Sequence, residues 1–453
     1  MQQSTQASES SVQGLEEFVG ARLLAARAAL PSLIGMSPQA KNAALRAVAE
    51  ALWQERGRIL AANAADLAAA RSQGMDPTRI DRLMLSEQRI RQMQEGLEVL
   101  VQLEDPIGAL LDRIERPDGL RIDKVCVPIG VVAIIYESRP NVTVDAAAIA
   151  FKTGNAVVLR GGREALHSNA ALVAAIHVGL AAAGAPVQAV QFIDRVERES
   201  VDLMIRAKGV VDLAIPRGGT GLISYVGERA LVPVIETGVG NCHVFVDRAA
   251  DLDMAEEIVI NAKTQRPSVC NAMETLLVHE DVATRWLPRI ATELTQRGVA
   301  LRVCEHGLEI LGGERPQEVL RATEEDWETE YLAPVLAVRV VDGLEAALEH
   351  IAVYGTRHSE AIVTEDGAAA EAFLARVDAA AVYHNASTRF TDGFEFGFGV
   401  EIGISTQKLH ARGPMGLREL TSYKYVVRGK GHVRGKTVPA GGAPESVAPA
   451  AQP

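Results

Sequence analysis

Apolar residues recur at helical spacing over roughly the first hundred positions, from Leu15 to about Leu103. Alanine, leucine, arginine and glutamate dominate this stretch, and all four favour helices. Ser37-Pro38 predicts a helix start with serine as the N-cap and proline at the first helical position, and Ser86 predicts a second start. The predicted breaks between these helices fall at Pro31, Ser37-Pro38, Gly74 and Asp76-Pro77.

The pattern changes between Ile107 and Val127. Residues 110–116 and 120–125 roughly alternate between apolar and polar, and Pro117-Asp118-Gly119 separates them. An Asp-Gly pair between two alternating runs predicts a β-hairpin. Both faces of this hairpin carry charge, so two interpretations stay open: an arm that pairs with another subunit, or an arm that lies on the surface.

From Pro128 to Asp247, short apolar runs alternate with helical segments. This alternation is typical of βαβ units and predicts a parallel sheet that is covered on both faces. The loops at the carboxyl ends of its strands are then available to a ligand. The predicted strands are 130–136, 155–160, 190–193, 210–215 and 232–235, and the predicted helices are 144–151, 168–183, 197–207 and 222–228.

A second α/β unit begins near Asn241. Its alternation predicts another doubly wound parallel sheet, so the fold class is α/β with two such domains and a projecting β-hairpin. The predicted strands are 244–247, 275–279, 299–303, 336–341 and 360–363, and the predicted helices are 254–264, 282–297, 343–351 and 368–376.

The net charge of −12 argues against a general role in binding nucleic acid or an anionic membrane surface. The four cysteines are scattered, without a CxxC pair or zinc-ligand spacing, so we expect no metal site and a reducing compartment. The first residues lack the pattern of a signal peptide, and there is no run of about 18 uncharged apolar residues. The expected location is the cytoplasm.

Cys270 lies at the centre of the segment Asn261–Val278. A cationic, polar stretch precedes it, and an apolar run that predicts a buried strand follows it. A reachable thiol near positive charge favours the thiolate, which is the nucleophilic form. The alternative is that Cys270 is a small buried apolar residue.

Three further stretches come where a predicted strand ends. Gly218 and Gly219 lie between a strand and a helix, where backbone N–H groups can hold a phosphate or a nicotinamide; a plain βα turn is the alternative, and a GxGxxG motif is absent. Asn141 lies near a helix start, and it is interpreted either as a hydrogen-bond donor to an oxyanion or as the N-cap of that helix. Glu236 precedes glycines, and it is interpreted either as a general base or as a carboxylate exposed to solvent.

Together these stretches resemble the aldehyde dehydrogenase superfamily and, within it, the gamma-glutamyl phosphate reductase family, also called glutamate-5-semialdehyde dehydrogenases. The resemblance covers residues from about 15 to 436. It depends on five segments: PIGVVAIIYESRPNVTVDAAA, KTGNAVVLRGG, NAKTQRPSVCNAMETLLV, GFEFGFGVEIGISTQKLHARGPMG and ELTSYKYVVRG.

The resemblance implies the reaction of this family: NADPH-dependent reduction of L-glutamyl 5-phosphate to L-glutamate 5-semialdehyde and phosphate, the second step of proline biosynthesis from glutamate. Cys270 matches the catalytic thiol, which forms a thioester and then a thiohemiacetal. Asn141 matches the asparagine that holds the oxyanion together with the Cys270 backbone N–H. Glu236 matches the hydrolytic base of the superfamily, but Thr237 offsets the following glycines, so its role stays open.

The resemblance also implies NADP(H) as the cofactor. Arg160 lies at the position of the basic residue for the adenine ribose, and an arginine suits the 2′-phosphate. Gly218 and Gly219 match the turn over the nicotinamide half, and Glu330 resembles the glutamate that contacts the nicotinamide ribose.

A substrate with a phosphate and an α-carboxylate requires several cations. Arg266, four residues before the thiol, is expected both to bind phosphate and to lower the thiol pKa, with a surface ion pair as the alternative. The loop 393–399 is interpreted either as a lid over the ligand or as a structural phenylalanine cluster. The expected substrate-binding residues are Arg139, Lys263, Arg266, Asn385 and Arg389, with Ser387 beside them.

The implied domain plan assigns residues 14–109 and 126–240 to cofactor binding and 241–404 to catalysis. Residues 110–125 and 405–436 form an oligomerisation arm, and residues 1–13 and 437–453 are disordered. The implied partners are other copies of the chain, as a dimer or tetramer in which 110–125 and Thr421–Arg428 pair between subunits, and a functional link to glutamate 5-kinase. Two other functions stay open: a scaffold that only binds nucleotide, and an aldehyde dehydrogenase that oxidises another substrate.

Overall fold

The computed structural model describes residues 2–313 and 316–434. Its first part is helical. Ser37 and Ser86 accept hydrogen bonds from the N–H groups of Ala40 and Arg89, both at 3.2 Å, so both predicted N-caps are confirmed. The helices are α1 Gln2–Ile34, α2 Pro38–Gln54, α3 Arg56–Ser72, α4 Pro77–Leu83 and α5 Glu87–Gln102.

Helix α1 differs from the expectation at two places. The helix begins at Gln2, whereas residues 1–13 were expected to be disordered, because no proline or glycine before Gly14 stops a helix from propagating. It also continues through Pro31 as far as Ile34, although this proline has no N–H to donate to the carbonyl oxygen of Arg27. Met1 and the tail 437–453 lie outside the described residues.

An antiparallel pair of strands lies where the sequence predicts a hairpin. Strands β1 (Leu110–Glu115) and β2 (Arg121–Pro128) pair antiparallel, with Ile114 opposite Ile122. Gly119 in the connecting turn has φ +84°, a left-handed conformation that favours glycine.

A four-stranded parallel sheet follows, in the order β5-β4-β3-β6. The predicted strand 232–235 makes only an isolated bridge, because Pro233 has no N–H with which to extend the ladder. The elements are β3 Val131–Tyr136, α6 Asn141–Lys152, β4 Ala156–Gly161, α7 Leu166–Ala182, β5 Val190–Phe192, α8 Glu199–Ile205, β6 Leu213–Arg217 and α9 Thr220–Arg229.

The segment Arg163–Ala182, which contains α7, is long and apolar enough to cross a membrane by length and composition. Half of it is nevertheless buried inside the protein. Gly179 shows how closely α7 packs, because a Cβ added there would lie 2.4 Å from the Cα of Val48 in α2. This segment therefore packs as a core helix of the four-stranded unit.

A seven-stranded parallel sheet forms the second unit, in the order β10-β9-β11-β8-β7-β12-β13. The predicted strands and helices are found here, and four short elements, α12, β10, α13 and β13, add to them. The first elements are β7 Cys242–Val246, α10 Leu252–Thr264, β8 Met273–His279, α11 Glu280–Gln296, β9 Ala300–Val303 and α12 Glu305–Leu311. The others are β10 Val319–Arg321, α13 Glu324–Glu328, β11 Val335–Val341, α14 Leu344–Tyr354, β12 Ser359–Val363, α15 Gly367–Arg376 and β13 Ala381–His384.

The C-terminal segment returns to the hairpin. After the short pair β14 (Ile404–Ser405) and β15 (Gly413–Pro414), strand β16 (Thr421–Arg428) pairs antiparallel with β2 and gives the sheet β1-β2-β16. The two segments that were expected to pair between subunits thus pair within one chain. Several large apolar side chains of this sheet stay exposed, namely Leu110, Leu111, Ile114, Tyr423, Tyr425 and Val427. Oligomerisation through it stays a prediction.

Candidate active site

Two adjoining cavities, of about 680 and 670 Å³, lie where the two parallel sheets approach each other. The first contains Cys270 and the glycine turn after β6. The second extends towards α5 and the loop 393–399. Both cavities are lined by Arg82, Arg139, Arg217, Arg266, Asp392 and Glu401.

Cys270 lies in the turn between α10 and β8, and its side chain lines the first cavity. Cys242 supports the turn, because its thiol donates to the Cys270 carbonyl oxygen at 3.2 Å. Burial raises the pKa of the Cys270 thiol, Arg217 and Arg139 lower it, and Glu330 raises it further. Reactivity therefore depends on those two arginines.

Arg266 lines both cavities, and its predicted role in binding phosphate stays a prediction. The positive charges that lower the pKa of Cys270 are, however, those of Arg217 and Arg139. The side chain of Arg266 is exposed, and no ion pair joins it to an acid within 2–313 and 316–434. The lowering of the thiol pKa that was predicted for Arg266 therefore comes from Arg217 and Arg139. The alternative, in which Arg266 forms a surface ion pair, is wrong.

Asn141 is the first residue of α6, and its amide donates to Oδ2 of Asp145 at 3.0 Å. Pro140 occupies the N-cap position, so the alternative that Asn141 is an N-cap is wrong. Asn141, Asp145 and Arg139 line the second cavity. Burial raises the pKa of Asp145 to about 7, although the hydrogen bond from Asn141 opposes the shift.

The glycine turn after β6 lines the first cavity. The N–H of Gly219 donates to Oε2 of Glu137 at 3.1 Å, and a Cβ added to Gly218 would lie 2.5 Å from the same oxygen. Gly219 precedes α9, whose first turn has no side-chain cap. The open N-terminus of α9 and the lack of side chains at the turn fit a bound phosphate or nicotinamide group.

Glu330 also lines the first cavity, and its Oε1 accepts a hydrogen bond from the Gly240 N–H at 2.7 Å. Burial raises the pKa of this carboxyl. Arg160, at the carboxyl end of β4, lies outside both cavities and donates to the carbonyl oxygens of Val196 and Gly161, at 3.1 and 3.2 Å. Its Nε is buried without a hydrogen-bond partner in the described part of the chain.

Two of the predicted substrate ligands contact other parts of the protein instead of the cavities. Lys263 is completely buried and forms an ion pair with Glu274, which is buried as well, so its ammonium group is taken up inside the protein. Asn385 accepts from the Thr364 N–H and donates to the Thr364 carbonyl oxygen, so it shapes the chain after β13. Neither lines the cavities.

Ser387 also has a structural contact, because it caps the short helical turn at Thr388–Phe390 by accepting from the Arg389 N–H. Arg389 lines the first cavity, as predicted, and donates to the side-chain oxygens of Asn271 and Gln265. Arg389 is thus placed beside the thiol segment.

Sequence reasoning missed Arg82, Arg217 and Glu401. Arg217 ends β6, directly before the glycine turn, and that position at a strand end was the available signal. Arg82 donates to the Ser268 carbonyl oxygen at 2.9 Å, a contact between residues far apart in the chain. Glu401 follows the loop 393–399, and burial raises its pKa to about 7.

The loop 393–399 is closed by a hydrogen bond from the Phe398 N–H to the Gly393 carbonyl oxygen at 2.7 Å. Phe394, Phe396 and Phe398 are all exposed, so a buried phenylalanine cluster does not form. Phe394 lines the second cavity. Closure over a ligand stays a prediction.

Glu236 lies away from this centre. Its carboxylate is next to Gly227 of α9, where an added Cβ would lie 2.7 Å from Oε1, and it does not line either cavity. Within the described ranges, no group of three or more His, Cys, Asp or Glu side chains is placed to hold a metal ion.

Comparisons with known proteins identify the family and the relatives of this chain. The model of the aldehyde dehydrogenase family matches residues 7–302. The gamma-glutamyl phosphate reductase of Moorella thermoacetica is 59% identical over 409 residues, which are 90% of this chain and 97% of that protein. The solved gamma-glutamyl phosphate reductase of Thermotoga maritima has a TM-score of 0.88 at 51% identity and covers 92% of this chain and 99% of that one.

A more distant structure, an engineered glycolyl-CoA reductase with bound NADP+, has a TM-score of 0.65 at 16% identity. It covers 90% of this chain and 96% of that chain. At this identity the likeness shows the fold alone.

Proposed function

The chain belongs to the aldehyde dehydrogenase family and is an oxidoreductase, and from that premise we propose that it reduces L-glutamyl 5-phosphate to L-glutamate 5-semialdehyde and phosphate. The observation that carries the proposal is the group of arginines around one thiol, Arg82, Arg139, Arg217, Arg266 and Arg389. A substrate with a phosphate and a carboxylate needs such a cationic pocket. The relatives named gamma-glutamyl phosphate reductase support the same choice.

In the proposed reaction the Cys270 sulfur attacks the acyl carbon and expels phosphate, which leaves a thioester. Arg217 and Arg139 favour the thiolate, because their charges lower the pKa that burial raises. Asn141 and the Cys270 backbone N–H hold the oxyanion. Asn141 lines the neighbouring cavity, so this role requires the acyl group to lie at the boundary between the two cavities.

We propose NADP(H) as the cofactor, since members of the family use nicotinamide cofactors. When bound, it supplies the hydride that converts the thioester to the thiohemiacetal. Gly218 and Gly219 allow close approach to the turn, Glu330 is placed to hold a ribose, and Arg160 has an unpartnered Nε that suits a 2′-phosphate. Arg160 would have to release one carbonyl contact to bind it.

The product is the aldehyde of the second step of proline biosynthesis, so we propose a functional link to glutamate 5-kinase, whose acyl phosphate product is the substrate. We further propose a homo-oligomer, dimer or tetramer, formed through the exposed apolar side chains of the sheet β1-β2-β16. The cytoplasm is the proposed location. All four cysteines are free thiols, in keeping with a reducing compartment.

A steady-state assay in the oxidising direction tests the proposal. Purified protein with L-glutamate 5-semialdehyde and NADP+ is expected to form NADPH only when inorganic phosphate is added, because phosphate must attack the thioester. NADPH formation without phosphate would identify a hydrolytic aldehyde dehydrogenase instead. No turnover under either condition, with normal cofactor binding, would identify a nucleotide-binding scaffold. The position of Glu236 outside the cavities favours the phosphate-dependent reaction.

A further inference from the structure

Glu401 differs from the other acids of the two cavities. Glu137 accepts from the Gly219 N–H, Glu330 from the Gly240 N–H and Asp392 from the Phe394 N–H. The Oε2 of Glu401, in contrast, is buried and has no hydrogen-bond partner among the residues that the structure describes. A buried, unpartnered carboxylate oxygen on a cavity wall is costly, and such groups cluster at functional sites.

The surroundings of Glu401 come from several elements. It faces Arg217 at the end of β6, Cys270 before β8, Asp392 on the adjoining loop, and His358 before β12. Burial raises the pKa of Glu401 to about 7, and the charges of Cys270 and Asp392 add to the shift. The charge of Arg217 and, to a smaller extent, the backbone N–H of Gly393 oppose it. The carboxyl therefore exchanges a proton near neutral pH, whereas an ordinary glutamate there stays ionised.

We infer that Glu401 is the group that takes the proton from the Cys270 thiol and later returns one to it. This inference depends on the proposed function. Two observations of position support it: Glu401 lines both cavities, and it shares that lining with Arg217, the arginine whose charge favours the thiolate. The thiol needs a base because burial raises its pKa.

The proton balance is complete. As the S–C bond forms, the thiol proton moves to the Glu401 carboxylate, and as the C–O bond of the acyl phosphate breaks, the departing phosphate takes that proton. Hydride from the reduced nicotinamide cofactor then reduces the thioester carbon. After the phosphate has left, the Glu401 carboxylate takes a proton from water. When the C–S bond breaks and the aldehyde leaves, Glu401 passes that proton to the Cys270 thiolate, which restores the thiol and the carboxylate of the starting state.

Two other acids are less suited to this exchange. One oxygen of Glu330 is held by the Gly240 N–H at 2.7 Å. Glu236 lines neither cavity. Glu401 is thus the acid that lines both cavities and has a buried oxygen without a hydrogen-bond partner among the described residues.

The test compares Glu401→Gln, Glu401→Asp and wild type in full-length protein, with Glu371→Gln on the exposed face of α15 as the surface control. Two quantities are measured from pH 5.5 to 9.5: kcat/KM in the phosphate-dependent assay, and the rate of Cys270 alkylation by iodoacetamide. In wild type, kcat/KM is expected to rise with pH as the Glu401 carboxyl loses its proton near pH 7, and this rise is called the limb near pH 7. Glu401→Gln is expected to lower kcat/KM at pH 7 by about 100-fold and to remove that limb. Glu401→Asp is expected to keep that limb and recover part of the activity.

Alkylation separates proton exchange from a structural role. Because Glu401→Gln removes a negative charge near the thiol, alkylation at pH 7 is expected not to slow, whereas a damaged site would lose alkylation and turnover together. Retention of the limb near pH 7 in Glu401→Gln, or its loss in Glu236→Gln instead, would overturn the inference. If wild type itself shows no phosphate-dependent turnover, the proposed function fails, and that result is independent of any variant.

Discussion

The two parallel sheets contribute to the active site through opposite edges. In the four-stranded sheet, the residues at the site follow the strands: Arg139 comes after β3 and Gly218 after β6. In the seven-stranded sheet, they precede the strands: Cys270 comes before β8 and Glu330 before β11. The cavity therefore lies between a carboxyl edge and an amino edge.

This difference matters for charge. The carboxyl edge of a parallel sheet carries helix N-termini, which attract phosphate and other anions. The amino edge receives helix carboxyl ends, whose partial negative charge does not favour a thiolate. The two cations that lower the pKa of Cys270, Arg217 and Arg139, accordingly come from the carboxyl edge of the other sheet. Thiol reactivity depends on the two edges meeting.

The rule that ligands bind at carboxyl edges thus predicts only half of this site. The carboxyl edge of the seven-stranded sheet has its own cavity, of about 480 Å³, near the ends of β8 and β11. Glu280, Asp342 and Arg339 line it, but no cysteine does. The reactive group of that sheet is at the opposite edge.

The largest expected effect separates the two edges. Cys270→Ser removes the reactive thiol from the amino edge, so kcat/KM is expected to fall at least about a thousandfold. The dissociation constant for NADPH, measured by fluorescence titration, is expected to stay within about twofold, because the glycine turn on the other sheet is unchanged. Substantial residual turnover would contradict the covalent mechanism. Loss of cofactor binding would contradict the assignment of the thiol to the amino edge of one sheet and of cofactor binding to the carboxyl edge of the other.

The second prediction contrasts a cation inside the seven-stranded unit with one at the shared cavity. Lys263→Met leaves Glu274 buried without its partner, so the free energy of unfolding is expected to fall by about 3–5 kcal/mol. The double variant Lys263→Met/Glu274→Leu is expected to recover most of this loss. Chemical denaturation measures both.

Arg217→Met is the matched comparison. Removal of the Arg217 charge relieves its repulsion with Arg139, so the free energy of unfolding is expected to change by less than about 1 kcal/mol. The value of kcat/KM is expected to fall by about 100-fold. The pH at which alkylation of Cys270 reaches half of its maximal rate is expected to rise, because Arg217 lowers the pKa of the thiol. Equal effects of Lys263→Met and Arg217→Met on both measurements would contradict the assignment of one cation to stability and the other to the site.

The smallest effect concerns the carboxyl edge alone. A Cβ at Gly218 would lie 2.5 Å from Oε2 of Glu137 and 2.9 Å from Cδ2 of Leu222, so Gly218→Ala must displace these two side chains, including the carboxylate that accepts from the Gly219 N–H. We expect the dissociation constant for NADPH to rise about tenfold without a change in Cys270 alkylation. Gly221→Ala is the control, since a Cβ there meets nothing within 4 Å. A similar change in both variants would mean that the turn itself is not the contact.

Local patterns in the sequence were sufficient for most of the fold. Alternation and helical spacing predicted both parallel sheets, the hairpin and two N-caps, because these depend on residues close together in the chain. They also placed Cys270 before a strand and Gly218 and Gly219 after one. The C-terminal strand that completes the hairpin sheet as β1-β2-β16 was expected to pair between subunits, because a strand pattern does not specify its partner.

The sequence by itself determined which elements form and which residue carries the thiol. Only the tertiary structure decided which charges face that thiol. Lys263 looked available in the sequence, yet the fold buries it against Glu274, while Arg217 and Glu401 reach the cavity from distant parts of the chain. The physical reason is that secondary structure follows from local spacing, whereas the pairing and desolvation of a charge depend on which distant segments pack around it.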